Sequence, residues 1–180
     1  VTGGINIGDE YINKEERFGY WLDSAIIIEG KAVKSFLAMF CAMWEFTNNK
    51  RIKMRSYIAD HSLPDEGFVI PYADDPLNDR NPAEGLYMQI LNSAQKYVYI
   101  VTPYLIIDNT MKSALRMAAK SGIDIRIVTP HIPDKWYVHY VTRYNYSELL
   151  EAGVKIYEYE KGFIHSKLFV SDDAVATVGT

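Results

Sequence analysis

The stretch 162–180, GFIHSKLFVSDDAVATVGT, sets a histidine and a lysine two residues apart, His165 and Lys167. Asp172 follows after four intervening residues, and Gly179-Thr180 after six more. Two residues apart on a strand means the same face of a sheet. The apolar residues Ile164, Leu168 and Val170, then Val175 and Val178, predict two short strands, with Ser171-Asp172-Asp173 as the turn between them. An imidazole and an ammonium would then stand side by side on a rigid support. That pair suits phosphate chemistry: the imidazole moves a proton or attacks phosphorus, and the ammonium fixes a phosphate oxygen. The plainer alternative is a surface strand with both side chains in water.

The elements that must hold this pair are legible upstream. The chain has 180 residues and is 48% hydrophobic, enough for one domain with its own core. Its net charge of −4, with Lys50, Arg51, Lys53 and Arg55 as the only basic cluster, argues against a nucleic-acid-binding face. That cluster reads as a solvated face. A single cysteine, Cys41, excludes an internal disulfide and sits in an apolar helical run, as a core thiol does. No apolar run reaches the roughly 18 residues of a membrane span, and the N-terminus has no signal-peptide pattern. The 14 tyrosines fit half-buried strand positions, or a site where rings with polar tips meet lipid headgroups.

Residues 8–19 read as a loop. Trp21–Glu29 reads as a strand whose continuous apolar centre would be covered on both faces. Helical spacing runs over Ala32–Phe46, a short strand over Phe68–Pro71, and a turn-laden connector over Ala73–Pro82. From there strands at Tyr97–Thr102, Asp124–Thr129 and Val154–Tyr159 alternate with helices at Ala83–Ser93, from Asp108 or Asn109 to Ser121, and at Trp136–Ala152. Such alternation implies a largely parallel sheet with right-handed crossovers. The first residues, Val1-Thr2-Gly3-Gly4, align with Thr177-Val178-Gly179-Thr180, so the chain reads as an internal repeat cut through both copies.

The form HxKxxxxD followed by Gly-Thr, together with the Gly3-Gly4-Ile5-Asn6 start, resembles the signature of the phospholipase D superfamily. Residues 3–11 (GGINIGDEY), 18–23 (FGYWLD), 97–108 (YVYIVTPYLIID) and 148–167 resemble bacterial cardiolipin synthases in particular. The resemblance implies an α/β fold: a mixed, largely parallel sheet flanked by helices as an α/β/α sandwich, here part of a two-lobed unit. Residues 1–60 would be the C-terminal part of the first half and 61–180 the second half, broken off within its motif.

The implied reaction passes a phosphatidyl group between two phosphatidylglycerol molecules, through a phosphohistidine, to give cardiolipin and glycerol. No cofactor and no metal is implied. The first-half His, upstream of Val1, would be the nucleophile. His165 would protonate the leaving glycerol and later deprotonate the acceptor, as an imidazole titrating near neutrality can. Lys167 and Asn6 would hold phosphate oxygens. Asp23 matches the carboxylate that orients a catalytic His, here the absent one; the alternative is a strand-edge Asp in water. The carboxylate serving His165 would lie beyond Thr180. Asp172 would bond the amides of its own turn, and Gly179 completes the motif. Anionic phospholipid is the implied partner and nucleic acid is not; a bacterial cell membrane is the implied location, reached through anchor segments outside these residues. A phospholipase D-like hydrolase, a nuclease, or a piece inactive by itself that only binds are the alternatives. Tyr104 and Arg143 lie in matching stretches without an assigned role. His61, His131 and His139 have no partners at metal-ligand spacing and read as surface or packing residues.

Overall fold

The protein is described by a computed structural model covering residues 1–58, 67–74 and 81–180. The expectation for His61 and the division at residue 60 lie outside the described residues. In chain order the elements are β1 (Thr2–Gly3), β2 (Ala25–Ile26), α1 (Val33–Asn48), α2 (Pro82–Ser93), β3 (Tyr97–Val101) and α3 (Asn109–Lys120). They continue with β4 (Asp124–Pro130), α4 (Trp136–Tyr144), α5 (Tyr146–Glu151), β5 (Lys155–Tyr159), β6 (Lys167–Ser171) and β7 (Val175–Gly179). Contacts divide the chain into two compact units, Val1–Ile26 with Glu84–Thr180, and Ile27–Ala83.

The larger unit is built on a five-stranded sheet in the order β5-β4-β3-β6-β7. Strands β3, β4 and β5 are parallel neighbours, as the strand–helix alternation requires. Strand β6 runs antiparallel to β3, and β7 antiparallel to β6. The sheet is therefore mixed: the crossovers account for its parallel part and the motif hairpin for its antiparallel part. Val98, Ile100, Ile125, Ile127 and Phe169 pack with Leu91, Leu115 and Leu149 from α2, α3 and α5 into one buried cluster. Each of these strand residues is set against another in register, so the cluster lies on one face of the sheet.

Local chemistry fixes the ends of these elements. The Asp108 carboxylate accepts from Met111 N at 2.8 Å and caps α3. Asp172 and Asp173 both take left-handed backbone, φ 54° and 56°, and Ala174 N donates to Ser171 O at 3.0 Å. Positive φ at both central residues is what a tight hairpin turn demands, and Asp tolerates it better than most residues.

Three expectations are corrected. The helix over 136–152 is two helices meeting at Asn145, whose backbone N–H turns to Thr142 O at 3.2 Å while its side-chain Nδ2 donates to Leu105 O at 2.9 Å. The strand over 21–29 shrinks to Ala25–Ile26, paired on one side with β1 only, and Ile27 is exposed. An apolar run is an offer of two faces to be covered, and no described element covers them there. Residues 68–71 form no strand, and Phe68 is fully exposed.

In the smaller unit α1 buries Cys41, and the Glu45 carboxylate accepts from Ile52 N at 2.8 Å, folding the chain back after the helix.

Candidate active site

His165 sits just ahead of β6, in a segment held by main-chain bonds to the N-terminal strip. Tyr20 N donates to Lys161 O, Leu22 N to Phe163 O, and His165 N to Leu22 O at 2.8 Å. Leu22 and Ile164 form a parallel bridge. These bonds carry Asp23, one residue further on, to the side of the imidazole. Glycine makes the approach close enough. A Cβ on Gly4 would collide with Asp23 Oδ1, and one on Gly162 with the Tyr20 backbone.

The Asp23 side chain is 2% exposed and that of His165 14%. Asp23 Oδ2 lies 2.9 Å from His165 Nδ1, and Gly4 O lies 3.1 Å from the same nitrogen. Both oxygens only accept, so Nδ1 carries the proton. The neutral ring then keeps its lone pair on Nε2, the nitrogen free to exchange protons with a ligand. Ser24 N donates to Asp23 Oδ1 at 2.8 Å and so fixes the carboxylate in turn. The sequence-based expectation gives Asp23 to a histidine upstream of Val1; among the described residues its carboxylate bonds His165. A sequence match reports position along the chain, whereas here a bridge between strands 142 residues apart decides which imidazole the carboxylate meets.

Lys167 Nζ lies 2.8 Å from His165 Nε2 and donates to His165 O at 2.6 Å. It is equally near Nδ1, but an ammonium cannot donate to a nitrogen that bears its own hydrogen, so Nε2 is the acceptor. Half-burial pushes the Lys167 ammonium down to about 8, against the opposing pull of Asp23 and Asp134. Opposite Lys167 in the hairpin stands Gly179, where a Cβ would only touch the lysine stem at ordinary distance.

The walls of the site are rings. Tyr11, Trp21 and Phe163 lie 5.6, 5.4 and 5.9 Å from the His165 ring, centroid to centroid. Asn6 is exposed and its amide donates to Tyr11 OH at 2.8 Å, so it reaches the imidazole through that ring. Beside Phe163 opens a shallow cleft lined by Tyr104, Pro130, Asp134, Val138 and His139. Tyr104 OH donates to Asp134 at 2.5 Å, and burial together with this carboxylate pushes the phenol well above its usual range. Sequence reasoning missed Tyr11, Trp21, Phe163 and Asp134. Trp21 and Phe163 lie within two residues of Asp23 and His165, the one signal that pointed to them.

The remaining candidates stand elsewhere. The Asp172 carboxylate accepts from Gln95, Lys96 and Tyr97 N at 2.6, 3.0 and 2.8 Å. It ties the hairpin to the start of β3 rather than bonding its own turn. Arg143 and His131 both engage Glu158, Arg143 with two bonds of 2.9 and 2.7 Å. Burial draws the Glu158 carboxyl up, but its bonds to Arg143 and His131 outweigh this and hold it at about 2. Among the described residues no group of three or more His, Cys, Asp or Glu is placed to hold a metal ion.

A family model described as "Cardiolipin synthase, PLD-like domain" matches residues 87–180. The chain is 49% identical over 99% of its length to an uncharacterized protein of Streptococcus mutans, covering 39% of that protein. It is 41% identical to cardiolipin synthase of Geobacillus thermodenitrificans and 42% to cardiolipin synthase 2 of Bacillus anthracis, over 99% of this chain each and 36% and 35% of theirs. The chain thus spans little more than a third of the length of these relatives. Among solved structures, the phospholipase D family member Nuc of Salmonella typhimurium aligns with a TM-score of 0.43 and 18% identity, over 51% of this chain and 58% of its own. A family model covering more than half the chain, with the His-x-Lys strand inside it, leaves one reading: the chain belongs to the phospholipase D-like domain family of the cardiolipin synthases.

Proposed function

We propose that this chain supplies one half of a phosphatidyl-transfer site that joins two phosphatidylglycerol molecules into cardiolipin, releasing glycerol. The observation that carries the reading is the fixed line from Asp23 through the His165 imidazole to the Lys167 ammonium, at 2.9 and 2.8 Å. Asp23 is the positioning residue: it fixes the tautomer and offsets the charge of the imidazolium. Lys167 and the Asn6 amide take non-bridging oxygens of the phosphodiester, and Lys167 turns from Nε2 to do so.

The histidine of the whole enzyme's other His-x-Lys pair attacks phosphorus. His165 enters this step as the imidazolium, having taken a proton from water at Nε2 once Lys167 has turned away. The phosphorus–oxygen bond to glycerol breaks, and the leaving oxygen takes that proton from Nε2. The hydroxyl of the second phosphatidylglycerol then gives its proton to the same Nε2 and attacks phosphorus. The phosphorus–nitrogen bond breaks and cardiolipin leaves. Proton transfer at a positioned imidazole contributes roughly 10²–10⁴-fold to such a step. The parent protein acts at a bacterial membrane, where this substrate resides. Among the described residues no helix is long and apolar enough to cross one.

The test is His165→Ala in the whole enzyme, read by thin-layer separation of products from labelled phosphatidylglycerol. Cardiolipin formation falls by at least 10²-fold, with circular dichroism showing the variant folded at the assay temperature, since loss of the ring leaves the buried Asp23 without its partner. Unchanged transfer would sink the assignment. Phosphatidic acid as the main product of the wild type would move the reading to hydrolysis.

A further inference from the structure

Helix α4 is built inside out. Its inward positions include Thr142 and Asn145, both buried and both polar. Thr142 Oγ1 accepts from Leu105 N at 3.1 Å, and Asn145 Nδ2 donates to Leu105 O at 2.9 Å. Hydrogen bonds to the loop after β3 thus seat the helix. Its large apolar side chains face the other way. Trp136, Tyr137, Tyr140, Val141 and Tyr144 recur at helical spacing on one face, and Trp136, Tyr140 and Tyr144 are 70, 70 and 75% exposed. The rings touch one another, with Trp136 edge-on to Tyr137 at 5.8 Å and to Tyr140 at 6.1 Å. A helix that hides amides and displays rings is the reverse of what water selects.

We propose that this face of α4 lies in the headgroup layer of an anionic lipid surface. Four of its five residues are Trp or Tyr, an apolar ring with a polar edge, the side chains that settle where hydrocarbon gives way to water. Charge points the same way. No Asp or Glu occurs from Lys135 to Tyr146, in a chain whose net charge is −4. At the head of the helix Lys135 is half exposed and pairs at 3.9 Å, the long end of ion-pair range, with the largely covered Asp134. An acid-free aromatic strip headed by a cation complements anionic headgroups. Nine residues span about 14 Å at 1.5 Å each, too short to cross a bilayer and suited to lying along it. The inner side of the same helix, through Val138 and His139, lines the cleft beside Phe163, whose ring contacts His165. The lipid surface therefore lies one helix away from the imidazole. The inference rests on the lipid reading of that site and adds how the site meets its substrate.

Flotation of the 180-residue chain with vesicles tests it, with no turnover involved. One vesicle type is an equal mixture of phosphatidylglycerol and phosphatidylcholine; the other is phosphatidylcholine alone. The wild type floats with the mixed vesicles and at least five-fold less with the neutral ones. Trp136→Ser with Tyr140→Ser lowers the bound fraction on mixed vesicles at least five-fold, with an unchanged circular-dichroism melt because both residues are exposed. Met117→Ser, an exposed residue of α3 away from this face, floats as the wild type does. A wild type that stays unbound, a double variant that still floats, or loss of flotation in Met117→Ser would each overturn the proposal. So would a concentration-dependent dimer that the double variant abolishes without any vesicle binding, since the face would then belong to a second copy. Flotation as stated, combined with a parent enzyme inactive on phosphatidylglycerol, would sink the transfer reading and leave the surface standing.

Discussion

Lys167 does two jobs that compete. In the proposed site it must be charged to hold a phosphate oxygen, and half-burial lowers its affinity for the proton to about 8. Binding of an anion therefore weakens as pH rises past 8, because the ammonium becomes an amine with nothing to offer a phosphate. Isothermal titration with inorganic phosphate from pH 6.5 to 9.5 should show that alkaline loss in the wild type. Lys167→Arg should move it beyond the range measured, since a guanidinium keeps its charge. The sign for stability runs with this. Folding lowers the pKa of Lys167, so the unfolded chain holds more protons between about 8 and the ordinary lysine value. The group's own contribution to stability rises with pH through that window and is least favourable below 8. Binding and stability thus move in opposite directions above pH 8, and a titration that follows both separates them. At this scale the sequence revealed the types and the spacing of His165 and Lys167. It did not place Asp23 beside His165, because which imidazole a carboxylate faces depends on how two distant strands pair.

Elements decide where those residues stand. The hairpin β6–β7 carries Lys167, and Asp172 at its turn takes three amide hydrogens from the start of β3. These bonds favour the ionised carboxyl, so its pKa is lowered in the folded chain. Their contribution to stability is present above the unfolded carboxyl value, near 3.9, and is lost as pH falls through the lower folded value. Asp172→Asn should therefore lower the melting temperature at pH 7, and the difference should shrink as pH falls below the unfolded carboxyl value. The hairpin, α3 with its Asp108 cap, and strands β3, β4 and β5 were all legible from periodicity and turn chemistry, which are local signals. The break in α4–α5 was not. Asn145 is an ordinary helical residue by pattern, and its side-chain bond to a carbonyl 40 positions away is invisible to any local signal. Nor was the shortness of β2: the run 25–29 is apolar enough for a central strand, but a strand needs neighbours on both sides to be one.

At the scale of the molecule the sequence of 180 residues holds one His-x-Lys pair, and the proposed transfer uses two. The chain by itself should form no cardiolipin from phosphatidylglycerol in a thin-layer assay. Turnover at the rate of a whole synthase would show that a single pair suffices, for instance by pairing two copies. The site also has an order of assembly written into it. Strands β3 to β7 and helices α2 to α5 join residues within about 90 positions, whereas Gly4 and Asp23 reach His165 across 161 and 142. Closing a longer loop costs more chain entropy, and contacts of high separation form slowly. The sheet can stand before its chemistry does. Function arrives only when the first 26 residues dock, so the tautomer of one histidine reports on whether both ends of the chain have come home.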